Sequence, residues 1–207
     1  MIRVVVVDSG IDGEHPAVRG RATVVRGPAF GCADEPEPDV LGHGTAVAAT
    51  VLRFLPQSPS EVELVALRVF AREPVCTFDA VLAALEHALS VQPALVNLSL
   101  GTTSLRHRRA LEALLARALA QGTRLVAPAS YGGLPCDPGA LPGVEAVVAD
   151  PNVLPMLPEL RRVGERFVWF ASPQPPPGAD GIRRLLARGD SLAVAAVTGC
   201  LLRSSPA

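Results

Sequence analysis

Asp8, His43 and Ser191 are the residues of this 207-residue chain whose types, order and settings suit them to do chemistry together. Each sits within two residues of a glycine. Asp8-Ser9-Gly10 closes an apolar run, Gly42-His43-Gly44-Thr45 opens a small-residue stretch, and Gly189-Asp190-Ser191 precedes an apolar C-terminal segment. A serine hydroxyl is a weak nucleophile at neutral pH. An imidazole that takes its proton, and a carboxylate that orients the imidazole, make it reactive. The expected chemistry is acyl transfer, with Ser191 as nucleophile, His43 as base and then acid, and Asp8 as the orienting group. Alone, each residue has a plainer reading. Asp8 suits a surface turn, His43 a half-buried histidine, and Ser191 or Asp190 a helix cap. Asp12 competes with Asp8 but better suits the turn that follows it.

Such residues need rigid elements to bring them together. Residues 2–7 read as a buried strand and 43–55 as a helix with an apolar face from Ala46, Val47, Ala49, Thr50 and Val51. Residues 63–70 form a strand, and Thr77 caps a helix over 78–90. Residues 94–100 form a strand, and Thr103 or Ser104 caps a long helix to about Gln121. Further strands are expected at 124–129, 144–149 and 166–171, with a last helix from Ser191 to about Leu202. This alternation predicts an α/β fold, a parallel sheet covered by helices on both faces. Ligands of such sheets bind beyond the carboxyl ends of the strands, where Asp8 lies. Residues Cys32 to Asp39 carry Asp34, Glu35, Glu37 and Asp39 and read as an exposed, solvated acidic loop rather than a calcium site. Residues 151–178, including Pro175-Pro176-Pro177, read as a stiff irregular connection. There is no internal repeat, and one domain over 1–207 is expected.

Composition narrows the function. Hydrophobic residues make up 49% and aromatics 4%, so the core is built from valine, leucine and alanine. A net charge of -1 argues against an electrostatic nucleic-acid binder. No apolar run reaches membrane-span length, and no signal peptide is evident, so no membrane partner is expected. Cys32, Cys76, Cys136 and Cys200 are scattered and read as reduced thiols, with no metal site and no cofactor. A cytoplasmic location fits best.

The flanks of the three candidates resemble one known family. Val4-Val5-Val6-Val7-Asp8-Ser9-Gly10-Ile11-Asp12 with His15-Pro16 resembles the subtilase aspartate motif, and Gly42-His43-Gly44-Thr45-Ala46-Val47-Ala48 its histidine motif. Asn97-Leu98-Ser99-Leu100-Gly101 resembles its substrate-binding strand. Gly189-Asp190-Ser191-Leu192-Ala193, running to Val197-Thr198-Gly199, is similar to its serine motif. The four follow in the family's order. The resemblance implies a subtilisin-like three-layer architecture and a triad of Asp8, His43 and Ser191. It also implies a substrate cleft lined by Ser99, Leu100 and Gly101. The helix dipole and the Ser191 N–H would favour an oxyanion there. His15 reads as structural, and His87 and His107 as solvated helix residues.

The chain departs from the family in three places. Asp190 replaces a threonine, and Ala195-Ala196 take the positions of a Pro-His pair. Tyr131 stands where the family has its oxyanion asparagine, in Val126-Ala127-Pro128-Ala129-Ser130-Tyr131-Gly132-Gly133. Losing such a donor costs about 10²–10³ in rate in subtilisin, so the Tyr131 or Ser130 hydroxyl is the expected substitute. Asp190 would either raise the pKa of His43 or face solvent. The chain is also expected to lack the family's inhibitory propeptide and to end soon after the serine helix, an expectation that favours restricted processing over bulk digestion. Gly189-Asp190-Ser191-Leu192 also spells the GDSL esterase signature, and Asn97 to Gly101 resembles a nucleophile elbow. The first needs a histidine after Ser191 and the second a histidine late in the chain, and the last one here is His107. The expectation is an intracellular subtilisin-like serine endopeptidase acting on a peptide or protein substrate. The alternative is an impaired homologue that binds peptides or serves as a partner subunit.

Overall fold

A computed structural model describes residues 1–56, 61–175 and 189–204. The valine run of β1 (Ile2–Asp8) explains the architecture. β-branched side chains pack well on a pleated surface, and a strand apolar on both faces needs cover on both. Val4 and Val6 pack with helices α1 (His43–Arg53) and α4 (Asp190–Arg203). Val5 and Val7 face the opposite way, into α2 (Phe78–Ser90) and α3 (Arg108–Ala120). The result is a sheet between two helical layers, as expected from the alternation of elements.

Among the described residues the sheet has eight strands. From one edge run β2 (Thr23–Ala29), β3 (Val62–Arg68), β1, β4 (Leu95–Leu98) and β5 (Arg124–Pro128). The order continues through β8 (Glu145–Ala149), β10 (Arg166–Ala171) and β9 (Glu159–Val163). Every pair is parallel except β9 with β10. A two-stranded hairpin, β6 (Ser130–Tyr131) with β7 (Leu134–Pro135), stands apart from it. From β1 the chain builds β2 and β3 to one side, then crosses to β4 and β5 on the other. That reversal opens a crevice beyond the carboxyl ends of β1 and β4.

Local signals account for most element boundaries. The Thr77 hydroxyl accepts from the Ala80 N–H at 3.3 Å and caps α2. Ser104 caps only the single 3₁₀ turn Leu105–His107, and α3 begins at Arg108 rather than beside Ser104. Two edge strands lie outside the sequence expectation. β2 carries Gly27 and Pro28, which an edge strand tolerates because one side of its ladder is unpaired. β9 falls within 151–178, so that stretch is not merely irregular. Its charged sequence hides a strand exposed on most positions, with Arg161 lying 4.4 Å from the centre of the Phe170 ring on β10. Pro176 and Pro177 lie outside the described residues.

The layer holding α1 and α4 depends on one close approach. A Cβ built at Gly199 would meet the Val51 carbonyl oxygen at 2.6 Å and the Phe54 ring at 2.7 Å. On an exposed helix, glycine to alanine stabilises by about 1 kcal/mol. Gly199→Ala is expected to do the reverse, because the helices must separate, and to destabilise by about 1–3 kcal/mol. Urea denaturation of the two proteins checks the sign.

Candidate active site

Asp8 ends β1 with no solvent exposure. Its Oδ1 accepts from His43 Nδ1 at 2.7 Å and from the Ser9 N–H at 2.8 Å. With Asp8 ionised, His43 holds its proton on Nδ1, which leaves Nε2 as the basic nitrogen of the neutral ring. The approach needs glycine on both sides. A Cβ at Gly44 would lie 2.1 Å from the Gly10 carbonyl oxygen, and Gly10 itself takes φ 112.

The start of α1 is held from outside the helix. Its N-cap, Gly42, offers no side chain. Asp39 supplies the missing acceptors. Its Oδ1 takes the Gly42 N–H at 2.8 Å and the Ser9 hydroxyl at 2.8 Å. Its Oδ2 takes the Thr45 N–H at 2.8 Å and the Thr45 hydroxyl at 2.5 Å. Buried Arg68 then clamps the preceding loop, donating to the carbonyls of Ser9 (3.1 Å), Glu35 (3.2 Å), Glu37 (2.6 Å) and Pro38 (2.8 Å). Asp34 pairs with Arg26, and Glu35 with Arg72. The segment from Cys32 to Asp39 is therefore no simple solvated acidic loop. Arginines order it, and it ends in the acid that fixes the helix of His43. The sequence signal was an acid four residues ahead of a histidine whose helix has no cap of its own.

Burial of the His43 ring opposes its charging. The Asp8 hydrogen bond and charge, with the more distant Asp39, outweigh that and lift His43 above the usual histidine value. Asp190 is not among the groups that act on it. Burial instead raises the Asp190 carboxyl.

Ser191 lies in the first turn of α4, half-buried, and its hydroxyl donates to the Ser99 carbonyl at 3.4 Å. His43, Ser191, Asp190, Ser99, Leu100 and Gly101 share one cavity of about 570 Å³, with an apolar end that includes Phe70, Val75, Phe78 and Val81. The strand and helix that bring Ser99 and Ser191 together are tied by Asn97, fully buried on β4. Asn97 donates to the Thr198 hydroxyl of α4 at 2.8 Å and accepts from the Ser99 hydroxyl at 3.0 Å. Tyr131 also lines the cavity, exposed on its hairpin. Ser130, on the same hairpin, is not among the described residues lining it.

The other candidates serve structure. Asp12 Oδ1 accepts from the Glu14 N–H at 3.0 Å, and His15 Nδ1 from the Ala17 N–H at 3.3 Å, within one turn. His87 and His107 are not simply solvated. Each is half-buried and meets a ring, Phe30 for His87 and Phe78 for His107, the latter stacked at 4.6 Å between centroids. All four cysteines are free thiols, and burial pushes Cys76 and Cys136 up to about 11.

The raised His43 gives a sign to stability as well as titration. The contribution of the Asp8–His43 pair is complete below about 6.5, the ordinary histidine value, and is lost as pH rises through the folded value. Proton NMR of the His43 ring should place its midpoint above that of a model histidine. Asp39→Asn should bring it down. An unchanged midpoint would mean that Asp39 acts on α1 alone.

A family model described as the subtilase family matches residues 1–132, a span that includes Asp8, His43 and Tyr131 and ends before Ser191. An intracellular serine protease of Paenibacillus polymyxa is 26% identical over 109 residues, covering 48% of this chain and 33% of that protein. Subtilisin amylosacchariticus of Bacillus subtilis subsp. amylosacchariticus is 31% identical over 140 residues, covering 64% of this chain and 35% of its own. The chain thus spans about a third of the length of these relatives. Among solved structures, a lanthipeptide protease aligns with TM-score 0.68 at 21% identity, over 96% of this chain and 71% of that one. The prenylagaramide maturation protease PagA aligns with TM-score 0.63 at 21% identity, over 96% and 72%. These two establish a shared fold. The family match takes in well over half of the residues, and by that measure the chain belongs to the subtilase family.

Proposed function

We propose that the chain is a subtilisin-like serine endopeptidase of the cytoplasm that processes a particular peptide or protein. The observation that carries the reading is the 2.7 Å contact of His43 with buried Asp8, on the wall of the cavity that also holds Ser191. In this mechanism the Ser191 hydroxyl turns from the Ser99 carbonyl to His43. The serine oxygen bonds to the scissile carbonyl carbon while its proton passes to His43 Nε2. His43⁺, stabilised by Asp8, then protonates the leaving amine as the C–N bond breaks. Water repeats the sequence on the acyl-enzyme. Ser99, Leu100 and Gly101 present a strand end against which an extended substrate can pair. The four free thiols and the intracellular relative from P. polymyxa support a reducing compartment. Two fold neighbours named for lanthipeptide and prenylagaramide maturation lend support to restricted processing.

One observation favours a second reading, an impaired homologue that binds peptides or serves as a partner subunit. The expected oxyanion donor position holds Tyr131, exposed and on a short hairpin, rather than an amide side chain.

A fluorophosphonate probe with mass mapping of the labelled residue tests the first reading, and the label is expected on Ser191. Ser191→Ala should abolish labelling and peptide cleavage while costing at most ~2 kcal/mol of stability. Persistent turnover in that variant would move the nucleophile elsewhere.

Tyr131 separates the two readings. If its hydroxyl donates to the oxyanion, Tyr131→Phe lowers kcat with little change in KM. If the ring merely fills the position, Tyr131→Asn raises kcat. Parent-like behaviour of both variants on a cleaved peptide would remove position 131 from the chemistry.

A further inference from the structure

β9 ends the sheet, and β10 is its one strand partner among the described residues. The turn fixes which way its backbone groups point. Val163 and Arg166 face each other across the two-residue turn Gly164-Glu165, so they exchange both backbone hydrogen bonds. Bonded and non-bonded pairs then alternate along the hairpin. Arg161 with Val168 and Glu159 with Phe170 are bonded pairs, and Arg162 with Phe167 and Leu160 with Trp169 are not. The N–H and C=O of Leu160 and Arg162 therefore point away from β10, to the outer side of the strand.

The side chains on this edge are open too. Leu160 is 49% exposed, and Phe167 on β10 is 65% exposed. These two and the half-buried Trp169 share one face of the sheet, while Glu159 and Arg161 share the other. Outward backbone groups beside exposed apolar side chains make a template for another strand. The opposite edge is blunted, because β2 contains Pro28, which has no N–H. β9 contains no proline.

The residues around Leu160 are complementary to themselves. Two copies of one edge strand that pair antiparallel about a two-fold axis need that axis perpendicular to the sheet. Each face then continues into the same face of the other copy, and even-numbered residues oppose even-numbered ones. Centred on Glu159, Arg161 or Arg162, the pair sets like charges against each other on the axis, which is unfavourable. Centred on Val163, it runs into the turn. Centred on Leu160, it sets Glu159 opposite Arg161 of the second copy, twice. The two leucines exchange both backbone bonds, and each Arg162 N–H meets the Pro158 carbonyl of the other copy. One face gains an unbroken row of Trp169, Leu160, Leu160 and Trp169. On the other, Glu159 already accepts from its own Arg161 at 2.9 Å and gains a second guanidinium.

We propose that β9 is the interface of a two-fold dimer of this chain, with Leu160 on the axis. The sheet runs on through both copies, and their substrate cavities open at opposite ends of it, so neither copy covers the other's. The competing role for Arg161 and Arg162 is to guard a bare edge against any strand. Arg161 is already engaged by Glu159 and Asp150 and lies over the Phe170 ring, which leaves it aligned with the strand rather than projecting beyond it.

The test is sedimentation equilibrium of the full chain over a concentration series. The mean mass should climb with concentration from that of one chain towards twice that value. Leu160→Lys puts two ammonium groups on the axis and should leave single chains. Glu159→Arg and Arg161→Glu, each alone, reverse one charge of both cross-strand pairs and should weaken association about 10-fold or more. An equimolar mixture of these two variants should recover the dimer, because each then meets opposite charges in the other. In hydrogen exchange, the amides of Leu160 and Arg162 should slow as concentration rises, whereas that of Arg161, already bonded to Val168, should not. Thermal unfolding confirms that each variant is folded. A single-chain mass at every concentration overturns the proposal and leaves the edge guarded, or open to a strand of another protein. A dimer that survives Leu160→Lys and both charge reversals places the interface elsewhere and overturns it as well. A mixture that stays monomeric overturns the register centred on Leu160.

Discussion

Burial of the Asp8 carboxylate is the constraint on which the rest of the site depends. A charge removed from water is costly unless hydrogen-bonded, and this one has no exposure at all. Its Oδ1 is satisfied by His43 and Ser9, and its Oδ2 has no hydrogen-bond partner among the described residues. Compensation therefore falls on a few contacts, and the heaviest of them comes from a helix that must be pressed against the end of β1. Gly44 allows that approach, since a Cβ there would collide with the Gly10 carbonyl oxygen, and Gly10 in turn leaves room for the Pro38 carbonyl of the acidic loop.

Keeping the helix there is the work of a second acid and a buried arginine. Asp39 gathers the N–H groups at the start of α1, which has no cap in its own sequence, and also reaches Ser9 beside Asp8. Arg68 gathers four carbonyls from the strand exit and the acidic loop. A guanidinium has five donors in a fixed fork, so one side chain can hold a loop with no regular structure in place. The same Asp39 also helps to set the proton affinity of His43, so one residue couples the stability of a turn to the chemistry of a base.

On the opposite wall the logic is different. Asn97 is buried without charge and links β4 to α4 through Thr198, while its carbonyl oxygen holds the Ser99 hydroxyl. Strand end and serine helix are thus joined by neutral hydrogen bonds beside a cavity lined by both apolar and polar residues. Asp190 is also among the lining residues, and burial keeps the Cys76 and Cys136 thiols there protonated.

Much of this protein was readable from its residues alone, and the reason is range. The valine run, the Thr77 cap and the alternation of apolar segments act within a few residues, and each local preference agreed with the parallel sheet. The segments around Asp8, His43 and Ser191 stood out as candidates because their glycines and neighbours are contiguous in the chain. Tertiary structure decided what depends on partners distant in sequence. Asp39 looked like part of a solvated loop because Ser9 is 30 residues away and Arg68 closes its loop from 30 or more residues further along. β9 looked irregular because its charged side chains carry no period-2 signal, and only pairing with β10 makes it a strand. His87 and His107 have no local signal for burial, and it is Phe30 and Phe78, distant in sequence, that pack against them. The direction of the Ser191 hydroxyl, towards Ser99, is set by the packing of α4 against the strand ends. No local pattern encodes that packing.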